Sequence, residues 1–401
     1  MNPQPIAVYV HIPFCTIKCG YCDFNAYAGM DNLKDAYAQA LLTEAAAAAP
    51  LLAGRTIASI GFGGGTPGEM APHHIAQLLT HLRQIAPIAP DAEITLEVNP
   101  GTTTEAHLHA LRQAGVTRLS IGAQSFHTTE LTFLDRIHSP QATAATLRTA
   151  RIAGFHSINL DLIYGLPGQP LADWLTSLKT AIDLAPDHIS CYALTIEEGT
   201  TLARRIQRGE TPPPDPDLAA DMYEAATDLL AHAGFQQYEL SNWAKPGHQS
   251  RHNRTYWTDG DYLALGAGAH GYLHGERYEN VAHPKAYIEA VRARANRTPR
   301  PALARITTPP LAAQLADWLA LRLRLLEGFH PSEFQRRWRL PLARTVGPVL
   351  QECQALGLLH TAPTVRLTRP GRLLHGEIAA RLLAHLQRTM PPAPTPIRPT
   401  S

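Results

Sequence analysis

From residue 7 to about 195, short apolar or β-branched runs alternate with longer Ala- and Leu-rich stretches of helical period. No other feature of the chain constrains its fold as strongly. The pattern predicts strands at Ala7–Ile12, Ile57–Phe62, Glu93–Val98, Arg118–Gly122, Ser157–Ile163 and His188–Ala193, with helices at about 33–49, 72–85, 103–114, 140–153, 171–184 and 217–233. Six strands alternating with helices imply an α/β fold: a parallel sheet with right-handed crossovers, curved into a partial or full barrel. Polar and glycine-rich residues follow the strands: Cys15 after the first, Gly63 to Pro67 after the second, Asn99 after the third, Gln124 after the fourth and Gly165 to Pro167 after the fifth. In βα barrels this rim carries the active site.

Beyond the repeat, Pro212 to Pro216 reads as an insertion loop, and residues 236–290 are less regular. From Pro309 to about Leu386 the order is that of a small α+β winged-helix-like module. It has helices near 311–326, 331–338 and 343–356, a β-hairpin within Gly357 to Leu367, and a final helix. Five prolines among residues 389–401 cannot pack as helix or strand and predict a disordered tail. The expected domains are therefore a barrel core at 1–235, an extension at 236–300, the C-terminal module at 301–387 and the tail at 388–401.

A net charge of +1 signals neither a nucleic-acid groove nor an anionic membrane surface. Arg336, Arg337, Arg339 and Arg344 of the C-terminal module read as a solvated face rather than a DNA-reading one. There is no run of about 18 uncharged apolar residues and no signal-peptide pattern in Met1 to Pro5, which places the chain in the cytosol. Five cysteines, three of them within eight residues, do not suit a disulfide framework in that compartment. Cys191 and Cys353 read as buried small hydrophobes.

Cys15, Cys19 and Cys22 follow a C-x3-C-x2-C spacing on the loop after the first strand. Thiolates are the ligands that iron-sulfur clusters require, and a 4Fe-4S cubane held by three of them keeps one iron free for an exchangeable ligand. The alternatives are a zinc site with His11 as fourth ligand and three incidental thiols.

At these residues the chain resembles the radical S-adenosylmethionine (SAM) superfamily, and the resemblance extends over the barrel. It narrows to the subgroup of oxygen-independent coproporphyrinogen III oxidases and HemW-type haem chaperones. The residues that carry it are Tyr-Val-His-Ile-Pro-Phe-Cys at 9–15, Gly-Gly-Gly-Thr-Pro at 63–67, Glu97-Val-Asn-Pro, Gly122-Ala-Gln-Ser-Phe and Asn159-Leu-Asp-Leu-Ile-Tyr-Gly-Leu-Pro. The resemblance implies a 4Fe-4S cluster on Cys15, Cys19 and Cys22 and a SAM shell of Tyr9, Tyr21, Gly64, Gly65, Thr66, Glu97, Gln124, Arg136 and Asp161. Glu97 and Asp161 would serve the ribose hydroxyls or the sulfonium, Gln124 a polar contact, and Arg136 the cofactor carboxylate.

Two functions of different class follow from the subgroup: an oxidase that decarboxylates coproporphyrinogen III through a radical, and a chaperone that carries haem to acceptor apoproteins. The oxidase motif continues to a fourth cysteine two residues after the third and has a longer N-terminal arm. Here that position is Phe24, and eight residues precede Tyr9. Both departures favour the chaperone, and the resemblance implies haem and haem-accepting apoproteins, respiratory ones among them, as partners and a homodimer as the assembly. His252-Asn-Arg-Thr-Tyr-Trp257 resembles the chaperones' H-N-x-x-Y-W motif, with His252 as an axial iron ligand and Tyr256 and Trp257 as flat apolar surface for the porphyrin. Gly266 to Tyr272 also resembles the subgroup; its glycines would admit a planar ligand, and His270 is a second candidate ligand. Nothing in the residues forbids radical formation by a reduced cluster and bound sulfonium, so the chain's enzymatic status stays open.

Overall fold

The computed structural model describes residues 4–390. Of the tail expected at 388–401, residues 391–401 lie outside the described part. Arg388 and Thr389 instead complete the final helix, His375–Thr389. The helix reaches this far because Leu382 and Leu386 continue its buried stripe, and the first proline comes only at 391.

The chain divides into two compact units. The first contains the chain up to Gln237 together with Ser241–Asn253 and Asp261–Ile306; the second contains Tyr238–Leu240, Arg254–Gly260 and the chain from Thr307 onward. The units do not break at 235 and 300, because two short segments of the intervening region belong with the C-terminal part. Leu240 packs in the core of the second unit, and Glu239 pairs with Leu325 there.

In the first unit six strands form the parallel core: β1 (Gln4–Ile12), β2 (Arg55–Gly64), β3 (Ile88–Val98), β4 (Arg118–Gln124), β5 (Ser157–Tyr164) and β6 (His188–Ala193). Each pairs in parallel with the next in sequence order. The free edge of β1 pairs with Tyr262–Leu265 and that of β6 with Asn242–Ala244, so β1 and β6 do not close onto one another. This is the open, partial form of the barrel. β2 and β3 begin earlier than their hydrophobic pattern, because the pairings Gln4 with Arg55 and Ile57 with Ile88 recruit residues that a period-two reading leaves out.

Helices Lys34–Ala47, Pro72–Ile85, Glu105–Ala114, Pro140–Ile152 and Leu171–Asp183 follow the first five strands. Their starts are written locally. Thr104 and Ser139 accept hydrogen bonds from the backbone N–H of His107 and Ala142, and Pro72 and Pro140 stand in first turns, where a missing N–H costs nothing. Alternation along the strands separates two faces. In β5, Ile158, Leu160 and Leu162 join the apolar core with Leu147, Ala150, Trp174 and Leu178 of the covering helices, while Asn159 and Asp161 point the other way into a cavity.

The second unit runs helix Leu311–Arg324, helix Pro331–Trp338, short helices Leu342–Thr345 and Gly347–Ala355, a hairpin of Leu359–His360 with Arg366–Leu367, and two closing helices. Trp318 stands edge-on to Phe329 and Phe334 at its centre, with Leu319, Leu350 and Ile378 fully or nearly buried around them. Its basic segment is tied down: Arg337 pairs with Asp259 at 3.1 Å, and Arg336 donates to Ser332. Among the described residues no helix is long and apolar enough to cross a membrane.

Candidate functional site

The site lies where the parallel strands end. Phe14–Cys15 pairs with Tyr27–Ala28, which fastens both ends of the cysteine loop, and the backbone N–H of Cys22 donates to Cys19 O at 3.1 Å inside it. All three cysteines are free thiols, half-buried, on the wall of one cavity of about 560 Å³. The same wall carries Tyr21, Gly64, Gly65, Thr66, Glu97, Gln124, Arg136 and Asp161. Folding therefore brings together residues spread over nearly 150 positions of sequence.

Each strand end delivers its residue for a local reason. Gly65 has backbone in the space a side chain would need: a Cβ there would sit 2.5 Å from Phe14 O and 2.9 Å from Ile12 O. The β4 pairing shifts register between Ile121 and Gln124, and Gln124 takes a left-handed φ of 63°. Such a conformation in a non-glycine residue costs about 1–3 kcal/mol and is kept where surrounding structure demands it.

The electrostatics favour a cationic guest. Burial raises Glu97 to about 8, repulsion from Asp161 adds to this, and the Gly64 N–H works against it. Asp161 is also raised by burial, opposed by hydrogen bonds from Ser120 (2.7 Å), Asn159 (2.8 Å) and Ser190. A cation placed beside either carboxyl would supply the partner that burial denies its charged form. Thr95 Oγ1, in the same wall, is buried with no hydrogen-bond partner, a group a ligand would satisfy.

Burial pushes the Cys15 thiol up to about 11 and raises Cys22 as well, so metal binding must displace protons at both. His11 is committed elsewhere. Its Nδ1 lies 3.0 Å from Tyr9 OH and its Nε2 2.9 Å from Asn25 O, which leaves no ring nitrogen for zinc. Among the described residues, no three His, Cys, Asp or Glu side chains are grouped closely enough to hold a single metal ion.

Tyr9 is set behind the wall, between His11 and Glu97. Arg136, read from sequence as a partner for a carboxylate, spends its guanidinium on Cys19 Sγ (3.7 Å), Asn99 Oδ1 (2.6 Å) and Gly122 O (2.8 Å). Arg118, Ser120, His188 and Ser190 also line the cavity and escaped the motif reading; Asn159 lines it too, and opened one of the motifs but was given no role. A signal for them exists: on β4, β5 and β6, polar residues recur at every second position, which is odd for strands buried on both faces.

His252, Tyr256 and Trp257 do not line this cavity. His252 is buried, with Nδ1 3.0 Å from Ser59 Oγ and its ring in the space where a Cβ on Gly61 would fall. Burial lowers its pKa to about 4, so it is neutral. Glu93 holds its segment, accepting from Ser250 Oγ and from the backbone N–H of Arg251 and His252. In the second unit Trp257 carries the Arg324 guanidinium 4.3 Å above its ring. The glycines at 266 and 268 do not open a slot for a planar ligand. His11 O and Asn25 Nδ2 fill the space, 2.4 and 2.2 Å from where side chains would begin. His270 opens the strand His270–Leu273, which is paired on both sides, and its side chain is exposed.

Comparison with known proteins accounts for this arrangement. The radical SAM superfamily model matches residues 9–181, and the HemN C-terminal domain model matches 310–374. Heme chaperone HemW of Mycobacterium tuberculosis is 40% identical, covering 96% of this chain and 96% of the relative. Heme chaperone HemW of Escherichia coli is 38% identical over 95% and 98%. The crystal structure of coproporphyrinogen III oxidase (HemN) from Escherichia coli, a radical SAM enzyme, superposes with a TM-score of 0.81 at 28% identity, covering 95% of this chain and 91% of that one. With this likeness running nearly end to end, the chain belongs to the HemW family within the radical SAM superfamily.

Proposed function

We propose that the protein is a cytoplasmic haem chaperone, which binds haem and passes it to acceptor proteins while carrying a 4Fe-4S cluster on Cys15, Cys19 and Cys22 with SAM beside it. Likeness to haem chaperones over the full length supports the carrier, and the HemN likeness keeps the oxidase as the second reading. The observation that supports the chaperone over the oxidase is Phe24. At the position of the oxidase's extra cysteine stands an aromatic side chain, 61% exposed at the mouth of the cavity.

The buried carboxyls of Glu97 and Asp161 stabilise the cationic end of SAM, Gly64 and Gly65 let backbone close on it, and Thr66, Gln124, Tyr21 and Arg136 complete the wall with Tyr9 behind. When bound, a reduced cluster and SAM together supply one-electron cleavage of the sulfonium. For haem, the candidates are His252 with Tyr256 and Trp257, and His270. His252 must leave Ser59 and Gly61 before it can meet iron, whereas His270 is exposed already.

The test is a haem titration of anaerobically reconstituted protein, followed by absorbance, beside an incubation with coproporphyrinogen III and SAM. Saturation near one haem per chain without protoporphyrinogen agrees with the chaperone. Protoporphyrinogen accumulating with methionine and 5′-deoxyadenosine replaces it with the oxidase. Loss of haem binding in His252→Ala, with circular dichroism unchanged, assigns the ligand; loss only in His270→Ala moves the assignment to the exposed histidine.

A further inference from the structure

We propose that Asn99 is a positioning residue that sets the reduction potential of the cluster by aiming two hydrogen-bond donors, the Thr66 hydroxyl and the Arg136 guanidinium, at the sulfur atoms of Cys15 and Cys19. This rests on the reading that these cysteines hold a 4Fe-4S cluster.

A continuous chain of contacts joins the two cysteines. Thr66 Oγ1 lies 3.4 Å from Cys15 Sγ and 2.8 Å from Asn99 Nδ2. Asn99 Oδ1 lies 2.6 Å from Arg136 Nη2, and Arg136 Nη1 lies 3.7 Å from Cys19 Sγ. The direction of each contact follows from donor chemistry. Arg136 has only donors, so the amide oxygen of Asn99 must face it, and the amide NH2 must then face Thr66. With a lone pair of Thr66 engaged by that NH2, the single hydroxyl proton is left for the sulfur of Cys15. Gly122 O fixes the guanidinium plane through a second bond from Nη2, at 2.8 Å. Gly122 itself leaves room for the assembly: a Cβ there would fall 3.2 Å from both Arg136 Nη2 and Asn99 Oδ1. Thr66 is buried, so water does not compete for its proton.

One-electron reduction adds negative charge that the cluster shares with its sulfur ligands. Donors aimed at those sulfurs stabilise the reduced state and raise the potential, and a charged donor does so most. Asn99 touches neither sulfur and acts through both donors. In Asn99→Asp the carboxylate keeps Arg136 but has no proton to give Thr66, whose hydroxyl then turns to the carboxylate and away from Cys15. In Asn99→Leu both donors lose their guide.

The full chain, reconstituted anaerobically, is titrated with dithionite through mediator dyes while electron paramagnetic resonance follows the reduced cluster. Iron and sulfide per chain are measured alongside. We expect full loading and a midpoint potential below that of the parent in Asn99→Leu, Asn99→Asp and Thr66→Val. In the Thr66→Val/Asn99→Leu double variant the shift is expected to be smaller than the sum of the single shifts, because Asn99 acts partly through Thr66. A loaded Asn99→Leu protein with the parent's midpoint overturns the proposal, as does a double-variant shift equal to that sum. Should the Asn99 variants not load, Thr66→Val decides by the same reading, since it removes only the hydroxyl. A parent that takes up no 4Fe-4S cluster is a different result: it removes the cofactor reading itself and the proposal with it.

Discussion

Glu44 should make the first unit less stable as pH rises from 5 to 8. This carboxyl sits fully buried in helix Lys34–Ala47, where Oε2 accepts from Gly266 N (2.8 Å) and Tyr287 OH (2.6 Å) and Oε1 from Asn280 Nδ2 (2.8 Å). Burial outweighs these donors and raises the group from its ordinary 4.5 to about 7. Because the folded pKa is the higher one, the native state holds the proton more tightly than the unfolded state. The stability this provides is complete below pH 4.5 and disappears as pH passes 7. Linkage over that interval gives a loss of about 2.5 kcal/mol between pH 5 and pH 8, close to half of it by pH 6. The assay is hydrogen exchange read by mass spectrometry on peptides from Lys34–Ala47 and Tyr262–Leu265, which reports the first unit apart from the second. Glu44→Gln is neutral throughout, so every other titrating group cancels in the comparison of parent with variant. The ratio of their protection factors should fall by about 70-fold from pH 5 to pH 8. A ratio that stays constant across the range refutes the argument and means that the three donors hold Glu44 ionised inside the fold.

Two further substitutions test the scaffold. Gly65→Ala must push its Cβ against the backbone of Phe14, next to Cys15, and overpacking of this kind costs about 1–3 kcal/mol. Iron bound per chain after reconstitution should drop, and iron equal to the parent's would show that the loop yields freely. Arg55→Met strips the partner from Asp261, a largely buried pair at 2.5 Å that ties the start of β2 to the turn before Tyr262. A loss of about 3–5 kcal/mol is expected. In a urea titration that loss should be largely insensitive to added salt, whereas a small, salt-screened change would place the pair in the surface class.

The six-stranded core, and the cavity wall on which Cys15, Cys19 and Cys22 meet, were legible in the sequence because both are written locally. Strand alternation, helix caps at Thr104 and Ser139, and thiol spacing all operate within a few residues. Motif spacing likewise reached most of the cavity wall, since its segments follow strands and a parallel barrel puts all strand ends on one rim. Legibility stopped where residues work through partners distant in the chain. Asn99 appeared as a polar residue after a strand and within Glu97-Val-Asn-Pro, without a role; its place between Thr66 and Arg136 needs three separate loops brought side by side. The glycines at 266 and 268 suggested room for a ligand, yet His11 and Asn25, more than 240 residues earlier, occupy it. His252 had the chemistry of an iron ligand, but Glu93 and Ser59 decide where its ring points. Nearest-neighbour chemistry along the chain determines which elements form and which side chains are available. Only tertiary structure decides which of those side chains are already spent on one another, because a hydrogen bond or a filled volume depends on distance in space rather than on separation in sequence.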